Sequence, residues 1–260
     1  MRKLSAIAAL SLALAFVGGS ALAADLSINS PAPMAPAPVG ALLFSGLYVG
    51  VHGGGGWAGS NTCVQSNDFP PYDYGCAPFD NGYNNINMAG PYVGGQVGYD
   101  FAVNSNWRLG IEGDLSWSGI SGSGEQYWSY SYVGAQAHEA IDWFGTLNGR
   151  IGYVMGNWMP YVTGGLAFGG GTRTAVETSY FFGPPGFPLG TSEGHGSHVG
   201  WDIGVGAEWA ISQHWSLKGE YKYIDLGRAN YALTDTYNTG TVLGVATKVQ
   251  TFEVGLNYRF

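Results

Sequence analysis

The chain has 260 residues, 44 of them glycine, with aromatics at 15% and charged residues at only 11%, where an ordinary soluble domain carries about 25% charged. Low charge with many aromatics points to a membrane, yet beyond the N-terminal leader no stretch approaches the roughly 20 apolar residues of a spanning helix. The net charge of −8 argues against a nucleic-acid partner, which asks for a basic patch.

The first 23 residues read as a secretory signal peptide: Arg2 and Lys3, an apolar run from Leu4 to Val17, then the small-residue cleavage site Ala21-Leu22-Ala23. Without it, 8 Lys+Arg face 18 Asp+Glu, a net charge of −10. Residues 24–43, with Pro31, Pro33, Pro36 and Pro38 among alanines, read as a periplasmic linker with nothing to bury. Residues 44–260 form one domain of eight alternating segments.

The first segment, Phe44 to Trp57, sets Leu47, Val49, Val51 and Trp57 against Tyr48, Gly50, His52 and Gly54. The second, Gly90 to Ala102, opposes Val93, Val97, Tyr99 and Phe101 to Tyr92, Gln96 and Asp100. In the third, Trp107 to Ser118, Trp107, Leu109, Ile111, Leu115 and Trp117 alternate with Arg108, Glu112, Asp114 and Ser116. The fourth, His138 to Val154, places Ile141, Trp143, Leu147, Ile151 and Tyr153 on one face, and Asp142, Thr146, Asn148 and Arg150 on the other. Met159 to Gly169 is the fifth, with Val162, Leu166 and Phe168 outward. The sixth, His198 to Ile211, opposes Val199, Trp201, Ile203, Val205 and Trp209 to Asp202 and Glu208. Trp215 to Leu226 sets Leu217, Tyr221 and Tyr223 against Lys218, Glu220 and Lys222. The last begins near Val245 and ends with Phe252, Val254, Leu256, Tyr258 and Phe260 alternating with Glu253, Asn257 and Arg259. A period of two marks strands with one apolar and one polar face.

Short turns at 104–106, 155–157 and 212–214 alternate with long gaps, read as loops: Ala58 to Ala89, Gly119 to Ala137, Gly170 to Ser197 and Gly227 to Gly244. Short periplasmic turns and long outer loops are the habit of outer-membrane barrels. Trp57, Trp107, Trp117, Trp143, Trp209, Trp215 and Tyr258 fall at the ends of the apolar faces, where interfacial aromatic girdles belong. The predicted fold is all-β, an eight-stranded antiparallel up-and-down transmembrane β-barrel.

Its inward face collects Asp100, Glu112, Asp114, Asp142, Asp202, Glu208, Glu220 and Glu253 with Arg108, Arg150, Lys218, Lys222 and Arg259. Both signs are present, so ion pairs can satisfy charges that would be costly alone. Eight strands leave an interior just wide enough for side chains to fill, which disfavours a wide pore.

Motifs for chemistry are weak. Gly190-Thr191-Ser192-Glu193-Gly194 has nucleophile-elbow spacing but lies in a proline-containing gap with no helical pattern after it. His195 and His198 are weak metal or haem-iron ligands at the end of that gap. Glu112 and Asp114 share a face, and pairing with Arg108 explains them without catalysis. Cys63 and Cys76 both lie in the first long gap, and an exported chain meets oxidising conditions, so a disulfide is expected. No enzyme activity, metal or cofactor is predicted.

Gly46-Leu-Tyr-Val-Gly50, Pro160-Tyr-Val-Thr-Gly-Gly165, Gly204-Val-Gly-Ala-Glu-Trp209, the run from Leu217 to Gly227 and the ending Val254-Gly-Leu-Asn-Tyr-Arg-Phe260 resemble the small surface-exposed outer-membrane proteins of alphaproteobacteria, labelled porin-family or OmpA-like. The resemblance implies insertion by the outer-membrane assembly machinery, with the strand carrying Phe252, Val254, Leu256, Tyr258 and Phe260 as insertion signal. It implies outer-membrane lipid and lipopolysaccharide as surroundings, and roles in envelope integrity and surface antigenicity. Some members bind haemin; Tyr72, Tyr74, Tyr127, Trp128, Tyr130, Tyr132, His195 and His198 motivate that reading of an extracellular ligand or host-surface contact here. A narrow diffusion pore is the other alternative. The resemblance carries no catalytic residues and no peptidoglycan-binding domain.

Overall fold

The computed structural model describes residues 43–68, 71–73, 86–128, 133–179, 187–233 and 241–260. The expected leader, nearly all of the linker, Cys76 and hence its disulfide with Cys63, and Tyr74, Tyr130 and Tyr132 lie outside these residues.

Among the described residues nine strands follow in order: β1 Gly46–Asp68, β2 Pro71–Asp73, β3 Ile86–Ala102, β4 Trp107–Trp128, β5 Val133–Tyr153, β6 Trp158–Ser179, β7 Phe187–Ala210, β8 Trp215–Leu233 and β9 Thr241–Arg259. All but β2 pair antiparallel with their neighbours in sequence, and β1 closes the ring on β9 from Tyr48↔Arg259 to Asn67↔Thr241. β2 only folds back on the far end of β1. The fold is therefore the closed eight-stranded barrel that the alternation predicts.

The short turns owe their tightness to local capping. Asn104 Oδ1 accepts from the amides of Asn106 and Trp107 at 2.9 Å, Ser212 Oγ from those of His214 and Trp215, and Gly156 supplies a positive φ of 63°.

Leu109, Ile111, Leu115, Leu147, Ile151, Val162, Leu166, Ile203, Val205, Val254 and Leu256 all point away from the interior and stay exposed. Trp107, Trp158, Trp209 and Trp215 border this belt at the end with the short turns, and Trp57, Trp117, Trp143 and Trp201 at the other. Trp107 and Trp117 are ten residues apart; at ~3.3 Å per residue and a tilt of ~40° that rise is roughly 25 Å, the height of an outer-membrane apolar band. So much bare apolar surface is stable only against lipid.

The strands run well past the upper girdle. The gaps expected as loops are largely strand: β4 and β5 stay paired to Trp128↔Val133, and β6 and β7 to Ser179↔Phe187. The alternating segments end where the outward face stops being apolar. Lipid ends there, but the ladder does not need lipid.

The alternation also puts Asp142 in the lumen, yet it points outward and accepts a hydrogen bond from Thr172 Oγ1 at 2.8 Å. Opposite β6, Ile141 pairs with Gly171 and Trp143 with Gly170, so Asp142 is the extra residue of a bulge. Opposite β4, the register slips between Trp117 and Ile120 at the same height. A bulge inverts the alternation beyond it, which is why Ile141, read as outward, is 5% exposed and faces the lumen.

Candidate functional site: the lumen and its outer extension

The lumen is layered. At the periplasmic end Phe44, Val154, Met159 and Ala210 form an apolar stopper. Phe44 is not the start of a strand; it turns in at φ 61° and buries its ring. Leu43 O beside it accepts from Arg108 Nε and Nη2 at 3.3 and 3.1 Å. Arg108 also donates to Asn104 O at 2.9 Å. It thus ties down the incoming chain and the first turn, instead of pairing with Glu112 and Asp114 as expected.

Above the stopper lies the charge lattice. Arg150 sits at its centre, bonded to Glu208, 3.5 Å from Glu112, and 3.9 Å over the Tyr161 ring. It also donates to Tyr48 Oη at 2.9 Å, and Tyr48 donates to Glu112 at 2.6 Å. Arg259 joins Asp100 and Glu208 at 3.1 and 3.3 Å. Lys218 lies 3.1, 3.0 and 3.4 Å from Glu112, Glu253 and Glu220, and Lys222 2.8 Å from Asp114. Asp202 is held more lightly, by Asn148 Nδ2 at 2.9 Å. His52, on the inward face but outside the expected charge network, bridges Gln96 and Ser116 at 2.5 and 2.7 Å. Such buried pairs are tolerable because most lone pairs and protons find partners. Inward glycines make the room: a Cβ on Gly98 would come within 2.3 Å of Tyr48 Oη, and one on Gly206 within 2.5 Å of the Tyr161 ring.

A second apolar layer closes the lattice from above, built from Met88, Tyr92, Ile120, Ile141, Phe144, Ala167, Ile224, Leu226 and Val249. No alternation contrast announces it, because apolar residues there face both ways.

Beyond the girdle a smaller polar layer appears. Arg173 meets Glu139 Oε2 at 3.1 Å and Thr62 Oγ1 at 2.7 Å, and Ser60 donates to Glu139 at 2.8 Å. Glu139 and Arg173 are cross-strand partners, a pairing that the alternation hides because Arg173 falls in a gap that reads as a loop. Burial raises the Glu139 carboxyl, against the pull of Arg173. Burial also lowers His198, leaving its imidazole neutral more readily.

The proposed chemistry in this region does not assemble. Ser192 is buried within β7, which continues as strand where an elbow needs a helix. His195 points outward, 3.1 Å from Thr172 Oγ1, whereas His198 points inward, 3.0 Å from Tyr231 Oη. Three residues apart on a strand, the two rings lie on opposite faces and cannot clamp one iron. Tyr72 is in β2, and Tyr127 and Trp128 are in β4.

The C-terminal residues Phe252, Val254, Leu256 and Phe260 all face outward, with Tyr258 part-buried against Trp215, centroids 5.0 Å apart. Phe260 N donates to Leu47 O at 3.0 Å, which helps close the ring.

Known proteins match this architecture. The family model for the outer membrane protein beta-barrel domain matches residues 9–260. The 31 kDa outer-membrane immunogenic protein of Brucella melitensis is 34% identical over 93% of this chain and 94% of its own length. The 25 kDa outer-membrane immunogenic protein of the same organism is 26% identical over the full length of both. A 22 kDa outer membrane protein of Rhizobium leguminosarum bv. viciae is 29% identical over 54% of this chain and 56% of its own. With its closed ring, lipid-facing belt and two aromatic girdles, the chain belongs to the outer membrane protein beta-barrel family and resides in the outer membrane.

Proposed function

We propose that the protein is a non-catalytic structural barrel that strengthens the envelope and presents its outer extension for surface contacts. One observation carries this reading: the charge lattice around Arg150 is sealed between two apolar layers. A lumen filled in this way braces the wall from inside and leaves no wet path, which weighs against the narrow pore. Lipid and lipopolysaccharide are the natural neighbours of the belt and girdles. The outward C-terminal strand is the segment we assign to the assembly machinery, and Cys63 with Cys76 the disulfide that pins the first long gap.

The test is a deletion strain challenged with detergent and a chelator. Increased sensitivity, restored by the wild-type gene, supports the envelope role; unchanged sensitivity removes it. Haemin binding loses its main motivation because His195 and His198 diverge. A Soret shift abolished only in the His195→Ala/His198→Ala double variant would bring it back.

A further inference from the structure

Eight lysines and arginines follow the leader. Arg108, Arg150, Arg173, Lys218, Lys222 and Arg259 are buried in the barrel. The remaining two, Arg228 and Lys248, are exposed on the outer face and are neighbours on β8 and β9. The exposed acids Glu125, Asp142 and Glu193 stand elsewhere, on β4, β5 and β7.

A bulge brings the two cations together. Asp225 faces Lys248 across the ladder and Arg228 faces Ala246, so Leu226 and Gly227 lie against Thr247 alone. Gly227 adopts φ 66°, where a Cβ would come within 2.9 Å of Val199 O, and its amide donates to Asp225 Oδ1 at 3.0 Å. Counted by twos from the inward Ile224 and Leu226, position 228 would also turn in. The extra residue inverts the alternation and turns Arg228 out, diagonal to Lys248. Diagonal cross-strand neighbours stand about 7–8 Å apart, within reach of long side chains. Asp225 holds the bulge, and among the described residues no ion pair joins it to Lys248.

The pair lies at the height of the outer-leaflet headgroups. Trp57, Gln250 and Tyr223 share one rung across β1, β9 and β8. Tyr221 Oη donates to Gln250 Oε1 at 2.7 Å, and the Tyr221 ring lies 6.3 Å from that of Trp57. This rung belongs to the outer aromatic girdle, which marks the edge of the apolar band. Lys248 is two residues further out, a rise of about 5 Å at ~3.3 Å per residue and a tilt of ~40°.

We propose that Arg228 and Lys248 bind a phosphate group of lipopolysaccharide in the outer leaflet. Ammonium and guanidinium groups both make charge-assisted hydrogen bonds to phosphate, and arginine makes them in parallel pairs. A guanidinium carries five donors, so a contact of Arg228 within the protein leaves others for the ligand. Trp57 and Tyr221, one rung below, meet the boundary between acyl chains and sugar. The acidic face of a second copy is the competing occupant. Height decides for the lipid, whose phosphates lie just beyond the apolar band on every side of the barrel. This inference deepens the lipopolysaccharide contact of the proposed function and rests on it.

The test titrates the full chain, refolded in an uncharged detergent, with fluorescein-labelled lipopolysaccharide, either intact or dephosphorylated, and reads anisotropy. The intact form is expected to bind roughly tenfold or more tightly than the dephosphorylated one, with the difference shrinking as salt is raised. The Arg228→Gln/Lys248→Gln variant, its fold checked by the heat-modifiable band, is expected to bind both forms equally weakly. Equal binding of the two forms by the wild-type chain, a comparison that needs no variant, overturns the proposal. So does undiminished preference for the intact form in the double variant, which leaves a general lipopolysaccharide contact standing. Binding of neither form removes that contact as well, while the envelope role is read separately on the deletion strain. Displacement by millimolar inorganic phosphate assigns the pair to a free anion, and self-association lost in the double variant assigns it to a second copy; either overturns the proposal.

Discussion

Arg150 with Glu208 and Arg173 with Glu139 are both buried ion pairs in the same lumen, but in different company. The lower pair belongs to a lattice in which Asp100, Glu112, Tyr48, Tyr161 and Arg259 all share the charge. The upper pair has hydroxyl neighbours in Ser60 and Thr62. Lipid explains the contrast. Between the girdles the outer face is apolar, so nearly all the charge turns inward and must be neutralised there. Above them water takes the outer face, Asp142, Glu193 and His195 turn out to it, and the inside needs little charge.

That contrast can be broken by mutation. Arg150→Ala leaves Glu208 and Glu112 without their main partner and is expected to cost about 3–5 kcal/mol, read as a lower urea midpoint for loss of the heat-modifiable folded band. An equal loss from Arg173→Ala would erase the distinction between the two layers. Gly98→Val drives a side chain into Tyr48 and is expected to cost about 1–3 kcal/mol. Tyr231→Phe removes only the bond to His198, about 0.5–1.5 kcal/mol, seen as faster exchange confined to the upper parts of β7 and β8. Gly55→Ala, with nothing within 4 Å of the new Cβ, should change stability by no more than about 0.5 kcal/mol, leaving the urea midpoint nearly unmoved.

The same contrast governs what could be read from the chain. In β4, Leu109, Ile111 and Leu115 against Arg108, Glu112 and Asp114 give a signal that survives without any neighbour, because lipid and lumen demand opposite chemistries. Most charges of the lower lattice sit on that polar face, but Asp142 turns outward and Arg108 holds Leu43 and the first turn instead. The bulge at Asp142 leaves no mark in composition, since Ile141 and Trp143 are both apolar and look like one continuous face. The Glu139–Arg173 pair stays hidden because the stretch around Arg173, a strand with water outside and polar groups inside, looks like a loop. The apolar layer of Met88, Ile120, Ile224 and Val249 was invisible for the converse reason. Phe44 resembled the first residue of a strand, and only the closed barrel gives its ring a mouth to stop.

The sealed lumen is tested most directly by planar-bilayer recording of the refolded protein across both polarities. A flat trace at applied voltage is expected from the lattice held between its two apolar layers. Stable ohmic steps in the wild-type protein would contradict it.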